Sequence, residues 1–510
     1  MTKNYYITTP IYYPSAKPHM GHAYSSIVSD VFARFKKIDG YQVHFLTGTD
    51  EHGLKIQRAS EESKMNPLDF CNKISQTFKD LCKILNLSNT DFIRTTEERH
   101  KKSVQHLWVE LEKSGDIYLS KYSGWYSVSD EAFYNEDEVE EKDGVKISIT
   151  SGSKVEWVEE ESYFFKLSKW QNPLLEYYEK NPKFILPKSR RNEVVSFVKS
   201  GLKDLSISRK SFSWGIKVPS NEEHVIYVWL DALTNYISAL KHPDTSNTLY
   251  KNFWPADVHI IGKDILRFHA IYWPAFLLAA KIPVPKRVYG HGWILAGKEK
   301  MSKSKGNILD PLDIIDKYGL DPLRYYLIKE VSFGNDGSIS KDKLEDCINS
   351  DLANNFGNFC QRVMVFNEKN FNSKIPKDIE FIDEDKKILD NFTNNISNLR
   401  SFIDEQQLNS YVEFIVNALF DANKYFNDQE PWNKKIDQKR LNTIIYTSLE
   451  LIRKISIMLY PIIPTSCLKC LGSFNIKEKD IQFDTIKLHN SLRFNSKISK
   501  IDILFKKILK

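Results

Sequence analysis

The stretch from Tyr5 to Thr47 narrows the fold of this chain more than any other part of it. Residues 5 to 11 alternate with β-branched and aromatic character, Pro14 and Pro18 mark a loop, and Ile27, Val28, Val31, Phe32 and Phe35 then recur at helical spacing. Val43-His44-Phe45-Leu46-Thr47 reads as another strand. Strand, helix and strand in this order predict a parallel βαβ unit with a right-handed crossover. A second such region follows, with Val225 to Leu230, then Val258 to Gly262 leading into a helix over Ile265 to Ala280, then Val288 to Leu295. The chain therefore reads as α/β, with a Rossmann-type nucleotide-binding fold split into two halves.

Between the halves the pattern changes to short aromatic-rich strands with turns at Gly124, Gly144 and Gly152 and an acidic run from Glu136 to Asp143. This segment is an inserted connective domain. Beyond about residue 350 strands give way to long helical periodicities, such as Leu389 to Ile403 and Leu441 to Leu459, which predict an α-helical C-terminal domain. At 510 residues the chain is too long for one core. The expected boundaries are 1–117 and 225–325 for the two halves of the nucleotide fold, 118–224 for the insertion, 326–350 for a linker and 351–510 for the helical domain.

Lys and Arg number 72 against 66 Asp and Glu, a balance of +6 that permits a polyanionic partner without demanding one. Six scattered cysteines make no disulfide framework and favour a reducing compartment, so the expected location is cytoplasmic. The N-terminus lacks the basic and apolar regions of a signal peptide. The longest apolar run, Ala275 to Ala280 between Pro274 and Lys281, falls far short of the roughly 20 residues of a membrane span. No membrane association is expected.

Two segments carry phosphate chemistry. Pro14 to His22 lies where the first strand gives way to the first helix, at the carboxyl edge of a parallel sheet, where open α/β folds bind ligands. A helix N-terminus there offers free N–H groups and partial positive charge. Gly21 lets a nucleotide approach the backbone, and the imidazoles of His19 and His22, three apart, can donate to an α-phosphate as its charge grows. One donor of this kind is worth about 3 kcal/mol, or roughly a hundredfold in rate. An isolated His-x-x-His is as often a cap or part of a metal site, but no acidic or cysteine ligand lies nearby at zinc-like spacing. The second segment, Gly297 to Gly306, is a basic loop after a strand. Its lysines, with Ser302 and Ser304, can clamp a leaving pyrophosphate, and Gly297 and Gly306 can act as hinges.

Together, His19-Met20-Gly21-His22 and Lys300-Met301-Ser302-Lys303-Ser304 resemble the two signature motifs of class I aminoacyl-tRNA synthetases. Thr47 to Gly53, Asp204 to Arg209, Tyr227 to Ala232 and Gly262-Lys263-Asp264 narrow the resemblance to the methionyl-tRNA synthetase family, over nearly the whole chain. The resemblance implies a methionine pocket formed by Ile11, Tyr13, Asp50, Trp229, Ala232, Leu233, Tyr236 and His269, with Gly21, Gly262, Asp264, Ile294, Ser302 and Ser304 bordering ATP. These residue types suit methionine, because aromatic walls favour a thioether and Asp50 can hold the substrate ammonium. Synthetases for leucine, isoleucine and valine carry a large editing domain between the halves, and the insertion here, of about a hundred residues, is too short for one.

Many family members bind a structural zinc through cysteine pairs in the insertion. This sequence has no cysteine between Tyr118 and Ser168, and Ser127-Val128-Ser129-Asp130-Glu131 resembles the branch without the metal, so no zinc is expected. Cys467 and Cys470 have CxxC spacing but no second pair and lie in a predicted helix, which favours a structural role. Asn358, Arg362 and Trp432 match the family's anticodon-reading positions, which makes the helical region an anticodon-binding domain and tRNA(Met) the expected partner. The tail carries no added β-barrel domain, so a monomer is expected.

The implied reaction has two steps. Methionine attacks the α-phosphate of magnesium-bound ATP to give methionyl-adenylate and pyrophosphate, and tRNA then takes the methionyl group and releases AMP. His19 and His22 serve the α-phosphate, and Lys300 and Lys303 the pyrophosphate. The rivals are a class I synthetase for another amino acid, such as cysteine, and a catalytically inactive synthetase relative that binds tRNA. Replacing Lys303 by Ala is expected to depress adenylate formation, measured as ATP–pyrophosphate exchange, far more than methionine binding. Equal losses in both would refute the assignment.

Overall fold

A strand buried on both faces needs a neighbour on each side and cover above and below, which is the environment of a parallel sheet. In the computed structural model, which describes residues 3–15, 17–130, 132–296, 299–300 and 310–509, three segments of this kind lie side by side. The elements used below are, in chain order, β1 (Asn4–Tyr12), α1 (Met20–Ile38), β2 (Gln42–Thr49), β3 (Asp91–Arg94), α2 (Glu98–Lys113), β4 (Ile117–Ser127), β5 (Glu156–Phe165), β6 (Ile185–Leu186), β7 (Asn221–Ile226), α3 (Val228–Leu233), α4 (Asn235–Ser238), β8 (Val258–Gly262), α5 (Trp273–Ala279) and β9 (Val288–His291). They continue with β10 (Ile294–Ala296), β11 (Glu299–Lys300), α6 (Leu320–Glu330), β12 (Gly337–Ile339), α7 (Asn358–Phe371), α8 (Asp383–Asp404), α9 (Leu408–Asp428), α10 (Gln438–Leu459) and α11 (Pro464–Ser473). The chain divides into two units, one joining Asn4–Pro18 to Val43–His291 and the other joining His19–Gln42 to Gly292–Lys510.

The first unit is built on a six-stranded sheet of order β3-β2-β1-β8-β9-β6. β1 runs parallel to β8, with Ile7 opposite Val258, and β8 parallel to β9, with Gly262 opposite His291. The amide of Asp50 donates to the carbonyl of Tyr12 at 2.9 Å, so the chain leaves β1 and β2 at one level. In the insertion, β4 and β5 pair antiparallel from Ile117 opposite Phe165 to Tyr126 opposite Glu156, within a four-stranded sheet.

Two expectations are corrected here. Val225 to Leu230 is not a strand of the parallel sheet: β7 lies in a three-stranded antiparallel sheet and ends at Ile226, and α3 follows at once. A short apolar run buried on every side has no period that separates strand from helix, and all six residues of α3 are buried. Val288 to Leu295 is likewise two strands in different sheets, β9 ending at His291 and β10 pairing with β12. Gly292 between them passes so near the Asn335–Asp336 backbone that a Cβ would lie 2.2 Å from it. The helix expected over Ile265 to Ala280 is present: after a 3-10 turn at Lys263–Ile265 the chain is helical without interruption from Leu266 to Ala279, with a π-helical turn at Phe268–Tyr272 before α5. Pro274 in the first turn of α5 has no N–H to continue the ladder, and a widened turn before it accommodates the ring.

In the second unit α1 is buried along most of its length and is tied to the C-terminal helices by charge. Asp30, fully buried, accepts from Arg34 Nε at 2.8 Å and Arg324 Nη2 at 2.7 Å, and Arg324 also donates to the carbonyls of Ile462 and Pro461. Phe35 packs edge-on to Tyr411, with ring centroids 5.6 Å apart, and lies 4.6 Å from Phe483. α10 is buried from Thr443 to Leu459 and forms the axis of the helical part. α7 continues directly from a π-helical segment, Ile348–Gly357. Replacing Asp30 by Ala strands two guanidinium groups in the core and is expected to destabilise the chain by about 3–5 kcal/mol, measured as a shift of the denaturant midpoint; a change within experimental error would show that Asp30 does not hold α1.

Candidate active site

The first helix begins with an unusual cap. His19 is the N-cap residue of α1, and its Nδ1 accepts the Gly21 amide at 3.1 Å, while Nδ1 of His22 accepts the His19 amide at 3.1 Å. The two rings lie 3.8 Å apart. The cap reading and the phosphate reading are therefore compatible: an Nδ1 that accepts leaves the ring proton on Nε2, and both imidazoles are held as Nε2–H donors at a helix N-terminus. Gly21 leaves room for this geometry, since a Cβ there would lie 3.0 Å from Cε1 and 3.1 Å from Nδ1 of His19, tight contacts that the ring would have to relieve by shifting.

In the other unit, the carboxyl edge of the parallel sheet collects Tyr13, Asp50 and Gly262 at the ends of β1, β2 and β8. Trp229 of α3 stacks flat on Phe268, with centroids 3.6 Å apart and planes at 7°, and meets His269 edge-on at 6.4 Å. Tyr236 of α4 donates its hydroxyl to Nε2 of His269 at 2.7 Å, because the Nδ1 of that ring is at 3.0 Å from the Ile265 carbonyl and must carry the proton. Burial pushes the His269 imidazole down to about 4, against the opposite pull of the Ile265 carbonyl and Asp264. Burial raises the Tyr236 phenol, hydrogen bonds from Asn235 and Thr8 oppose this, and Tyr12 and Asp50 add to the rise, which places Asp50 within electrostatic reach of the ring. Ala232 and Leu233 are buried in the same helix as Trp229, Ile11 and Tyr13 pack against the same core, and Lys55 lies 5.0 Å over the Tyr13 ring. The indole N–H of Trp229 is buried and meets no acceptor among the described residues.

The loop Thr49 to Gly53 is clamped along its length. The buried Glu51 carboxylate accepts from Arg94 at 2.6 and 2.9 Å and from Thr49 at 2.7 Å, and its carbonyl takes the Trp214 indole at 2.6 Å. Burial alone would raise the Glu51 carboxyl, but Arg94, Ser75 and Thr96 hold it below its usual value.

A third cluster lies in the helical part. Asn358 and Arg362, one turn apart on α7, line a cleft of about 390 Å³ with Phe366, Lys369, Phe426 and Trp432. The Arg362 guanidinium lies 5.1 Å over the Phe426 ring and 5.9 Å over Trp432, and Nη2 donates to Asn427 at 2.7 Å. Trp432 is 52 % exposed, the form of a stacking platform open to solvent.

Of the other expected residues, Ile294 is buried in β10, and Lys300 is the β11 partner of Leu295. Gly262 lies where a Cβ would come 2.5 Å from Oδ1 of Asp264, so that carboxylate folds back over the strand end. Ser302, Lys303 and Ser304, with the rest of 301–309 and the hinge Gly297, lie outside the described residues. Among the described residues no group of three or more His, Cys, Asp or Glu is placed to hold a metal ion. In the insertion, Asp130 instead accepts from Tyr134 at 2.8 Å, Ser151 at 2.5 Å and Ser153 at 2.8 Å, hydroxyl chemistry that does not fit a zinc–thiolate centre. Cys467 and Cys470 are buried in α11.

The family model for class I tRNA synthetases (M) matches residues 5–364, and that for the anticodon-binding domain of methionyl-tRNA ligase matches 375–510. The chain belongs to the methionyl-tRNA synthetase family. Similar members include the methionine–tRNA ligase of Brucella suis biovar 1, 50% identical over 94% of this chain and 93% of the relative, and that of Rickettsia felis, 49% identical over 99% and 98%. Among solved structures, methionyl-tRNA synthetase of Mycobacterium tuberculosis in complex with methionyl-adenylate superposes with a TM-score of 0.96 at 43% identity, covering 99% of this chain and 100% of that one. The free form of the Mycobacterium tuberculosis protein gives a TM-score of 0.90 at 40% identity, covering 100% and 99%.

Within this synthetase fold, sequence reasoning missed Phe268, the partner of Trp229, and His259, which stacks on Tyr236 at 4.0 Å. Phe268 falls in a π-helical turn, where the α-helical period does not tell which face a residue takes, whereas His259 in the middle of an apolar strand was a legible oddity. Replacing Gly21 by Ala is expected to displace the His19 ring and lower the rate of ATP–pyrophosphate exchange roughly tenfold or more with little change in the KM for methionine; an unaltered rate would show that the cap geometry of His19 is not used.

Proposed function

We propose that this methionine–tRNA ligase uses the residues above in the following roles. Methionine enters the aromatic cage of Tyr13, Trp229, Tyr236 and His269, floored by Ile11, Ala232 and Leu233, and Asp50 holds its ammonium. The observation that supports the reading is the cluster of Trp229, Tyr236 and His269, in which Trp229 meets His269 edge-on at 6.4 Å and Tyr236 donates to His269 at 2.7 Å: aromatic rings and a neutral imidazole suit a polarizable thioether, with each sulfur–aromatic contact worth about 0.3–1.5 kcal/mol. ATP, as its magnesium complex, is bordered by Gly21, Gly262, Asp264, Ile294, Ser302 and Ser304.

The carboxylate of methionine attacks the α-phosphate, and the Nε2–H groups of His19 and His22 stabilise the growing negative charge. Lys300 and Lys303 neutralise the leaving pyrophosphate. The terminal adenosine of tRNA(Met) then takes the methionyl group, and no covalent enzyme intermediate is needed. Asn358 and Arg362 read anticodon base edges, and Trp432 stacks on an unpaired base, worth about 1–3 kcal/mol. The segment 118–224 serves as the connective insertion between the two catalytic halves, 1–117 and 225–325, and folds around the Asp130 hydroxyl network without zinc; 326–350 links to the anticodon-binding domain, 351–510. The enzyme acts as a cytoplasmic monomer.

ATP–pyrophosphate exchange measured with each of the twenty amino acids tests the reading. Exchange is expected with methionine alone. Exchange with another amino acid instead would move the specificity, and tRNA binding with no exchange at all would replace the reading with an inactive RNA-binding relative.

A further inference from the structure

One carboxylate with no role in the reaction described above stands where three segments of the amino-acid pocket, the Asp50 loop, α3 and α4, are joined by hydrogen bonds. Asp231 of α3 is fully buried. Its Oδ2 is 2.7 Å from Nδ1 of His52 and its Oδ1 is 2.7 Å from Nε2 of His100. Burial opposes the charge on Asp231, but the two imidazoles outweigh it and hold the carboxyl below its usual value, so both facing ring nitrogens donate. On its far side, His100 meets the Ser238 hydroxyl at 2.8 Å, and Ser238 lies 3.1 Å from the Asn235 carbonyl.

Each arm of this network ends on a segment that carries a residue assigned to methionine. His52 is two residues beyond Asp50. Asp231 shares α3 with Trp229, Ala232 and Leu233. Ser238 and Asn235 bracket Tyr236 in α4. His100 lies on α2, whose Val104, Leu107, Trp108 and Leu111 are set in the main core of the unit, so that helix supplies a fixed support. Removing one partner from a buried charge is strongly unfavourable, so the three segments are held where both imidazoles reach one carboxylate. The Asp50 side of the junction is already clamped through Glu51, Arg94 and Trp214. Loss of the His52 bond therefore releases α3 rather than the loop.

We propose that Asp231 is a positioning residue for methionine, which through His52 and His100 sets the distance between Asp50 and the wall formed by α3 and α4. The proposal rests on the pocket assignment made above. Asp231 touches no substrate and moves no proton in the reaction.

The test is methionine-dependent exchange by the full chain, with KM for methionine, KM for ATP and kcat resolved separately. Asp231→Asn, His52→Ala and His100→Ala are each expected to raise the KM for methionine about tenfold or more while the KM for ATP stays within about twofold. His52→Asn and His100→Gln are expected to recover most of the loss, since the amide N–H of Asn replaces a donor at Nδ1 and that of Gln a donor at Nε2. A KM for methionine that does not change, an equal rise in both KM values, or amide variants as poor as the alanines would each overturn the proposal. So would a lowered melting temperature with unchanged kinetics, the mark of a purely structural role. If Asp231→Asn does not fold, the two His52 variants decide the matter by the same criteria. Trp229→Ala separates the proposal from the pocket assignment: an unchanged KM for methionine there brings down both, while a raised KM there with none in the Asp231 series brings down the proposal alone.

Discussion

The hydrogen bond from the Asp50 amide to the Tyr12 carbonyl, 2.9 Å long, fixes where the chain leaves the central strands β1 and β2. In a parallel sheet all strands end on one edge, and the register of β1 with β8 and of β8 with β9 carries that edge across to Gly262 and His291. Side chains that follow each strand are thus delivered to the same side from segments far apart in sequence. Tyr13, Asp50 and Asp264 follow strands that this alignment brings to one edge, and the ring cluster of Trp229, Tyr236, Phe268 and His269 meets β8 where Tyr236 stacks on His259.

Buried charge does the finer placing within each unit. Asp30 gathers Arg34 and Arg324 and so fastens α1, whose first turn presents His19 and His22. Glu51 gathers Arg94 and its hydroxyl partners, and Asp231 gathers two histidines. Such ion clusters add little net stability compared with well-packed apolar groups, but an arrangement that leaves one partner unpaired is costly, so they select one geometry among several that the apolar core would accept.

The outline of the fold was legible because its signals are local. Alternation over 5 to 11, the prolines that follow and the helical spacing to Phe35 define one strand–helix step, and the histidine and lysine motifs are contiguous in sequence. What was not legible depends on contacts across the chain. Val225 to Leu230 is apolar throughout, and only burial on every side turned its second half into α3. The break between β9 and β10 comes from a backbone crossing at Gly292 that no neighbouring residue announces. Both imidazoles at the start of α1 cap the helix through Nδ1, a detail of ring orientation that spacing cannot give. Asp231 reads in sequence as one polar residue in an apolar run, and its partners are 179 and 131 residues away.

The proposed roles divide recognition between two parts of the chain: the carboxyl edge of the parallel sheet for the amino acid, and the cleft lined by Arg362 and Trp432 for the anticodon. Charging of tRNA(Met) with methionine, compared with charging of the same tRNA carrying a different anticodon and with exchange in the absence of tRNA, tests that division most directly. The altered anticodon is expected to lower kcat/KM for charging by about a hundredfold or more, and methionine-dependent exchange to proceed without tRNA. Equal charging of both tRNAs, or exchange that requires tRNA, would contradict this division.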